Sequence, residues 1–311
     1  MSHPTFARLL GVDFSCAPSR RKPIVAACGT RAGAVLRLDA LRLIETLAGF
    51  EALLAEPGPW LGAFDFPFGL PRAFVESQAL GSDAAAVAAA VRAHCPTRMA
   101  LRAWIDAWGN SRPAGHRLPH RATDLALPGL QSTSPLQTRY VPVGFMYFEG
   151  LPRLLAAGAT LPQMHAGDAQ RVAVEAYPAL LAHAVIGRRS YKNGDDAERF
   201  IARKDLVDAL EQGRTPLGLR LKLTHAQREA LVDDAAGDRL DAALALLQAG
   251  WAATQPGHGL PPGVDPVEGW IVSAGPLPAA AAAPGPSRAG ASAKPRRRPA
   301  PAVPRALRAA A

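Results

Sequence analysis

The chain has 311 residues, 49% of them hydrophobic, and a formal net charge of +9 from 35 basic and 26 acidic residues. That composition excludes a wholly disordered chain. The lack of any 18-residue apolar run argues against a membrane helix, and three cysteines cannot build a disulfide framework. Cys16, Cys28 and Cys95 also lack the close pairing of a zinc knuckle. The short apolar stretch near the N-terminus ends on Asp13 with no cleavage pattern after it, so a secretory signal is not expected. A reducing cytoplasm is the expected location, with no membrane partner.

A basic chain points to nucleic acid only if the charge sits on the folded part. From Pro276 onward the sequence is Ala, Pro, Gly and Ser with Arg288, Lys294, Arg296, Arg297, Arg298, Arg305 and Arg308, and no acid. Seven of the nine net charges therefore fall on residues 276–311, leaving +2 for residues 1–275. That segment reads as a disordered tail. It is either a polycationic arm for phosphate backbones or a solubilising tail; the shortness of the Arg296–Arg298 run favours the second.

In chain order, Ala7–Asp13 reads as a buried strand ending on a carboxylate, followed by a polar turn at Ala17–Lys22. Pro23–Cys28 and Ala34–Leu38 read as two more strands. Asp39 looks like an N-cap, with Leu41, Leu43, Ile44, Leu47 and Phe50 marking a helix. Trp60–Phe66 is a fourth strand around Asp65. Ala84–His94 and Met99–Trp108 are helical by propensity. The stretch 110–140 has no period, and a loop of that length suits a substrate lid. It carries Arg112, His116, Arg117, His120, Arg121 and Arg139. Pro119, Gly115 and Pro113 argue against a helix there, so His116 and His120 are not a zinc pair. Trp104 and Trp108 could stack bases, but their i,i+4 spacing is more typical of core.

Arg171–Tyr177 is a fifth strand, with Glu175 inside it and Pro178 ending or kinking it. Asp195–Gln212 is a helix, and Thr224–Gln227 is a capping box before a short one. Asp238–Trp251 reads as an amphipathic helix with Leu240, Leu244, Leu247 and Trp251 on one face. Glu268–Ser273 reads as a last short strand. The alternation of strands and helices gives an α/β domain over residues 1–275. Its helical and loop insertion spans roughly residues 72–168, after the fourth strand.

Acids inside apolar strand patterns are informative, because a buried charge needs a partner. Asp13, Asp65 and Glu175 are of this kind. Asp238 and Asp241 lie i,i+3 on a late helix, about 60° apart on its surface. Each has a plain structural alternative. Asp238 can be an N-cap, Asp241 a first-turn acid, Glu175 a salt-bridge partner and Asp65 a turn acid. Taken jointly, the acids call for a cation, and hard oxygen ligands suit Mg²⁺ or Mn²⁺.

This pattern resembles the ribonuclease H-like fold: a meander, a helix, a strand returning beside strand one, and acids on strand one, strand four and a C-terminal helix. Asp238-x-x-Asp241 is most similar to the last-helix pair of RuvC-type junction resolvases, and Asp65 would stand for their strand-four glutamate. A closer resemblance covers most of residues 8–275. Gly11-Val-Asp13, Asp65-x-Pro67-x-Gly69-Leu-Pro71, Val174-Glu-x-Tyr-Pro178 and Asp238-x-x-Asp241-Ala-x-x-Ala245 resemble the family called domain of unknown function 429. So do Arg121-x-Thr-Asp124, Val143–Met146, Glu149-Gly150 and Tyr191-Lys192. That family is generally described as predicted nucleases of ribonuclease H fold.

The resemblance implies a mixed central sheet flanked by helices and a metal-dependent nuclease in which two Mg²⁺ or Mn²⁺ ions clamp an in-line displacement. Asp13, Asp65, Asp238 and Asp241 are the expected metal ligands. With Glu175 they make the expected catalytic set, and Arg121, Asp124 and Lys192 are the substrate-binding candidates. The implied partner is nucleic acid, DNA or RNA left open, and a homodimer stays open because junction resolvases generally act as dimers. Two alternatives remain. One is a nucleotide-binding, phosphotransferase-like protein, since sugar kinases, actin and Hsp70 proteins share a Gly-x-Asp on the first strand. The other is a non-catalytic binding or regulatory protein that kept the fold.

Overall fold

The computed structural model describes residues 6–275. The disordered tail expected at residues 276–311 lies outside the described residues. Strands β1 (Arg8–Asp13), β2 (Ile24–Ala32) and β3 (Val35–Ile44) form the expected antiparallel meander. Helix α1 (Leu47–Leu54) follows, and β4 (Trp60–Asp65) returns parallel to β1.

The Asp39 N-cap is corrected. Asp39 lies inside β3, where buried Leu36 and Leu38 alternate with exposed Arg37 and Asp39. That period of two belongs to a strand covered on one face. The helix begins three residues beyond Ile44, behind Thr46, whose hydroxyl accepts from the Gly49 amide at 3.0 Å, an ordinary N-cap.

Between β4 and the next long strand lie α2 (Arg72–Ser77), α3 (Ala84–His94), α4 (Arg98–Asn110), α5 (Ala122–Leu125), α6 (Val143–Ala156) and the two-residue β5 (Ala159–Thr160). Then come β6 (Asp168–Glu175), α7 (Pro178–Ile186), α8 (Ala197–Gln212), β7 (Arg220–Lys222), α9 (His225–Val232) and α10 (Asp238–Ala252). Pro178 starts α7, where its missing N–H costs nothing. The capping box at Thr224 and Gln227 is present. Of Glu268–Ser273, only Ile271 pairs with the sheet, through a single bridge to Glu175.

The sheet order is β5-β6-β4-β1-β2-β3-β7, with β1–β2 and β2–β3 antiparallel and the other neighbours parallel. The chain is thus a mixed α/β protein, and the order is compatible with a ribonuclease H-like fold. Among the described residues no helix is long and apolar enough to cross a membrane.

Both faces of the sheet are covered. Leu10, Val12, Ile24, Ala26 and Phe64 face a layer with α1–α4 and α6. Leu9, Val25, Ala27, Leu61, Ala63 and Val174 face the other, with α7–α10. Trp104 and Trp108 belong to the first layer and do not form an open stacking face. Their indole N–H groups donate to Gln78 at 2.9 Å and Ser77 at 2.7 Å, and both rings pack on Phe74.

Helix α10 is not amphipathic as the spacing of its leucines suggests. Every residue from Leu240 to Gly250 is buried, because the helix lies between the sheet and α7 and α9. Its approach to β1 requires Gly11. A Cβ there would run into the Leu246 amide nitrogen and the Ala242 carbonyl oxygen. Burying the all-round apolar helix against the central strands fixes its position, and with it the position of the acids in its first turn.

Candidate metal centre

Asp13 and Asp65 are the last residues of β1 and β4, and they stand directly opposite each other in the parallel ladder. Side chains alternate along a strand, so Asp13 shares the face of Leu9 and Gly11, and Asp65 that of Leu61 and Ala63. This is the face that α10 covers. Asp241, in the first turn of α10 and 1% exposed, meets them there. One carboxylate oxygen from each of Asp13, Asp65 and Asp241 lies within 4.8 Å of the other two.

The remaining acid of the late pair stands apart. Gly237 occupies the N-cap position with φ +82°, and Asp238 is the first helical residue. Asp238 is not one of the three converging acids, but it shares a cavity of about 690 Å³ with Asp13, Asp241, Lys22 and Lys192. The polar turn after β1 therefore forms one wall of the site, through Ser15, Cys16 and Lys22. A smaller cavity of about 320 Å³ adjoins it, reaching Asp65 and Lys192 between the apolar side chains of Val141 and Met146.

Lys192 and Tyr191 lie in the loop between α7 and α8 and close over Asp241. The Tyr191 hydroxyl donates to Asp241 Oδ1 at 2.6 Å, and the Lys192 ammonium donates to Oδ2. The loop is held by Arg203, which is fully buried and donates to the carbonyls of Tyr191, Gly194 and Val232. Gly237 leaves room for the Lys192 stem, which a Cβ would meet at 2.9 Å. By contrast, no hydrogen-bond donor reaches the carboxylates of Asp13 or Asp65 among the described residues.

The electrostatics follow from this imbalance. Burial, then repulsion from Asp241, Asp238 and Asp65, pushes the Asp13 carboxyl well above its usual range, with Lys192 opposing. Burial takes Asp65 up to about 7; Lys192 works against the rise, and Asp241 and Glu175 add to it. Burial also raises Asp238, although Lys22 pulls it down. Lys192 moves the other way. Burial lowers its pKa, but Asp241 and Asp65 more than reverse that, so the ammonium stays charged. Burial and the adjacent Asp241 hold the Tyr191 phenol protonated, as a donor.

Glu175 does not join the three aspartates. It stands opposite Phe64 in the β4–β6 ladder, and the neighbouring Val172 and Val174 face the α10 layer. Its own side chain therefore points to the opposite face. There it meets Arg121, which is 2% exposed and donates to both Glu175 oxygens, at 2.8 and 2.6 Å. Arg121 also binds Asp124 at 2.9 Å and the Glu268 carbonyl at 2.9 Å. Ser132 donates to Asp124 at 2.6 Å, and the Phe68 amide to Glu175 at 2.9 Å.

Burial disfavours the Arg121 charge, yet Glu175 and Asp124 keep it ionised. The same guanidinium holds Asp124 below its usual range despite burial. Arg121, Asp124 and Glu175 thus form a hydrogen-bonded internal ion network beside the centre, in which one guanidinium serves two carboxylates and burial still raises Glu175 against the pull of Arg121. This is the salt-bridge alternative for Glu175, and it leaves Lys192 as the one substrate-binding candidate that contacts a centre carboxylate. Of the 110–140 stretch, Arg139 pairs with Asp106 and Arg112 lies 4.4 Å over Trp108. The end of that stretch and the residue after it, Tyr140 and Val141, line the larger cavity, and Arg121, Ser132 and Thr133 of the stretch line the smaller one.

Tyr191 and Arg203 are the residues of the site that residue patterns do not single out. Tyr191 is marked only by standing next to Lys192 in a family-like motif, and Arg203 looks like any arginine on a surface helix. No curated protein and no solved structure matches the chain. A family model described as "Protein of unknown function (DUF429)" matches residues 11–266. Most of the chain, including all of the strand-end and helix acids of the centre, falls within that match, and the chain belongs to the DUF429 family.

Proposed function

We propose that this chain is a divalent-metal-dependent nuclease that hydrolyses phosphodiester bonds at Asp13, Asp65 and Asp241. One observation carries the reading: three carboxylates from two strand ends and one helix converge within 4.8 Å with a single ammonium against them. Such a group is short of positive charge in a half-buried setting, where unpaired carboxylates are costly. The donors are all carboxylate oxygens, a set that suits Mg²⁺ or Mn²⁺. A bound ion of this kind supplies Lewis-acid polarisation of a phosphoryl oxygen and lowers the pKa of water.

The chain's own residues do the rest. Asp13 and Asp65, fixed side by side by the ladder, would hold the ion from the sheet, and Asp241 would hold it from the helix. Tyr191 keeps Asp241 oriented through its 2.6 Å hydrogen bond. Lys192 offsets negative charge at the point where a phosphate would add more. Asp238, on the cavity wall with its pKa raised by burial, would accept a proton from water. The proposed substrate is nucleic acid, and the proposed location is a reducing cytoplasm, in keeping with three free, buried cysteines.

The test is cleavage of end-labelled DNA and RNA, single- and double-stranded, with Mg²⁺ or Mn²⁺ present. Cleavage should disappear with EDTA and in Asp13→Asn, whose circular dichroism spectrum should match wild type. Absence of cleavage on all four substrates by a folded, Mn²⁺-loaded protein overturns the nuclease reading.

A further inference from the structure

We propose that the centre takes one divalent ion, held by Asp13 and Asp65 with Asp241, and that the Lys192 ammonium stands where a second ion would otherwise bind. The inference rests on the metal-centre reading above and replaces the two-ion expectation drawn from the family resemblance.

The first ground is the occupancy of Asp241. To hold two ions, the helix acid would have to serve the second one. Both of its oxygens already accept from protein donors, Oδ1 from Tyr191 and Oδ2 from Lys192. Among the described residues no donor reaches Asp13 or Asp65, so most of the free coordination capacity lies on the sheet side of the centre, and Asp241 keeps one lone pair on each oxygen for the ion. The second ground is Asp238. It is the acid a second ion would need beside Asp241, yet it lies outside the converging group. The cation opposing its charge most strongly is Lys22, from the turn after β1.

Charge balance agrees. The three converging carboxylates carry three negative charges and Lys192 one positive. One divalent ion brings that group to neutrality. A second would leave two uncompensated positive charges at a half-buried site. Lys192 is also fixed in place. Its stem lies over Gly237, and its loop hangs on the buried Arg203 through the Tyr191 and Gly194 carbonyls. These contacts fix the backbone and the first side-chain carbons of Lys192, and Asp241 holds its ammonium.

The experiment is a Mn²⁺ titration of the full chain, with free ion followed by electron paramagnetic resonance and binding by calorimetry. Wild type should bind one Mn²⁺ per chain. Lys192→Ala, which frees Asp241 Oδ2 and empties the space, should bind two. Two ions in wild type overturn the inference while leaving the metal centre intact, and so does a folded Lys192→Ala that still binds only one. No Mn²⁺ bound by wild type overturns the metal-centre reading itself, so the two failures are distinguishable. The wild-type count stands even if Lys192→Ala does not fold.

Discussion

Asp65→Asn should make the metal-free protein more stable, although it removes a charged side chain next to a lysine. Burial raises the Asp65 carboxyl from 3.8 to about 7 in the folded chain. Because the folded value lies above the unfolded one, ionising Asp65 works against folding. The penalty is absent below about pH 4, grows as pH rises from about 4 to 7, and is complete above that. At about 1.4 kcal/mol per pH unit it reaches at most about 4 kcal/mol. Asparagine has the same shape and never ionises. In EDTA at pH 8 the variant should exceed wild type by up to this amount, about 10 °C in Tm at roughly 2–4 °C per kcal/mol. At pH 4 the two should coincide. Saturating Mn²⁺ should then stabilise wild type, by about 2.7 kcal/mol at a hundredfold excess over Kd, and the variant far less. Thermal denaturation at the two pH values, with and without Mn²⁺, reads all of this. A variant no more stable than wild type at pH 8 in EDTA refutes the reasoning, because Asp65 would then be a satisfied partner of Lys192 and not a surplus charge.

Two further substitutions test the frame of the site. Arg121→Met should cost about 3–5 kcal/mol in urea denaturation, because it strands Glu175 and Asp124 as buried carboxylates without their cation. Gly11→Ala should cost about 3 kcal/mol or more, since its Cβ meets α10 backbone and not a movable side chain. It should also weaken Mn²⁺ binding measured by calorimetry, because Asp241 rides on that helix.

The part of the fold legible in the sequence is the part where local chemistry decides. The meander, the return of β4 and the capping box at Thr224 follow from turns, apolar runs and caps, whose causes lie within a few residues. The misreading of Asp39 has the same origin. Leu41, Leu43 and Ile44 continue the helical face of Leu47 and Phe50 about as well as they fit the end of β3, and only pairing with β2 decides between the two. Helix α10 looked amphipathic because its buried alanines and Gly250 carry no apolar signal of their own. What covers them is the sheet on one side and α7 and α9 on the other, which no spacing within the helix reveals.

The acids show the same division, and the reason bears on function. A strand buried on both faces reads as a continuous apolar run, so Val172-Ala-Val-Glu175 does not say which way Glu175 points. Register decides it, turning Glu175 away from the centre and onto Arg121. Asp13 and Asp65 could be nominated from the sequence but not separated from Glu175, because all three are acids at the ends of apolar strands. What separates them is whether a cation has been built in opposite. Glu175 and Asp124 have Arg121 with both of its arms engaged. Among the described residues, Asp13, Asp65 and Asp241 share the single ammonium of Lys192. An arginine set closely against one pair of carboxylates, with three others short of charge where two strand ends meet the first turn of α10, is the contrast on which the proposed divalent ion rests.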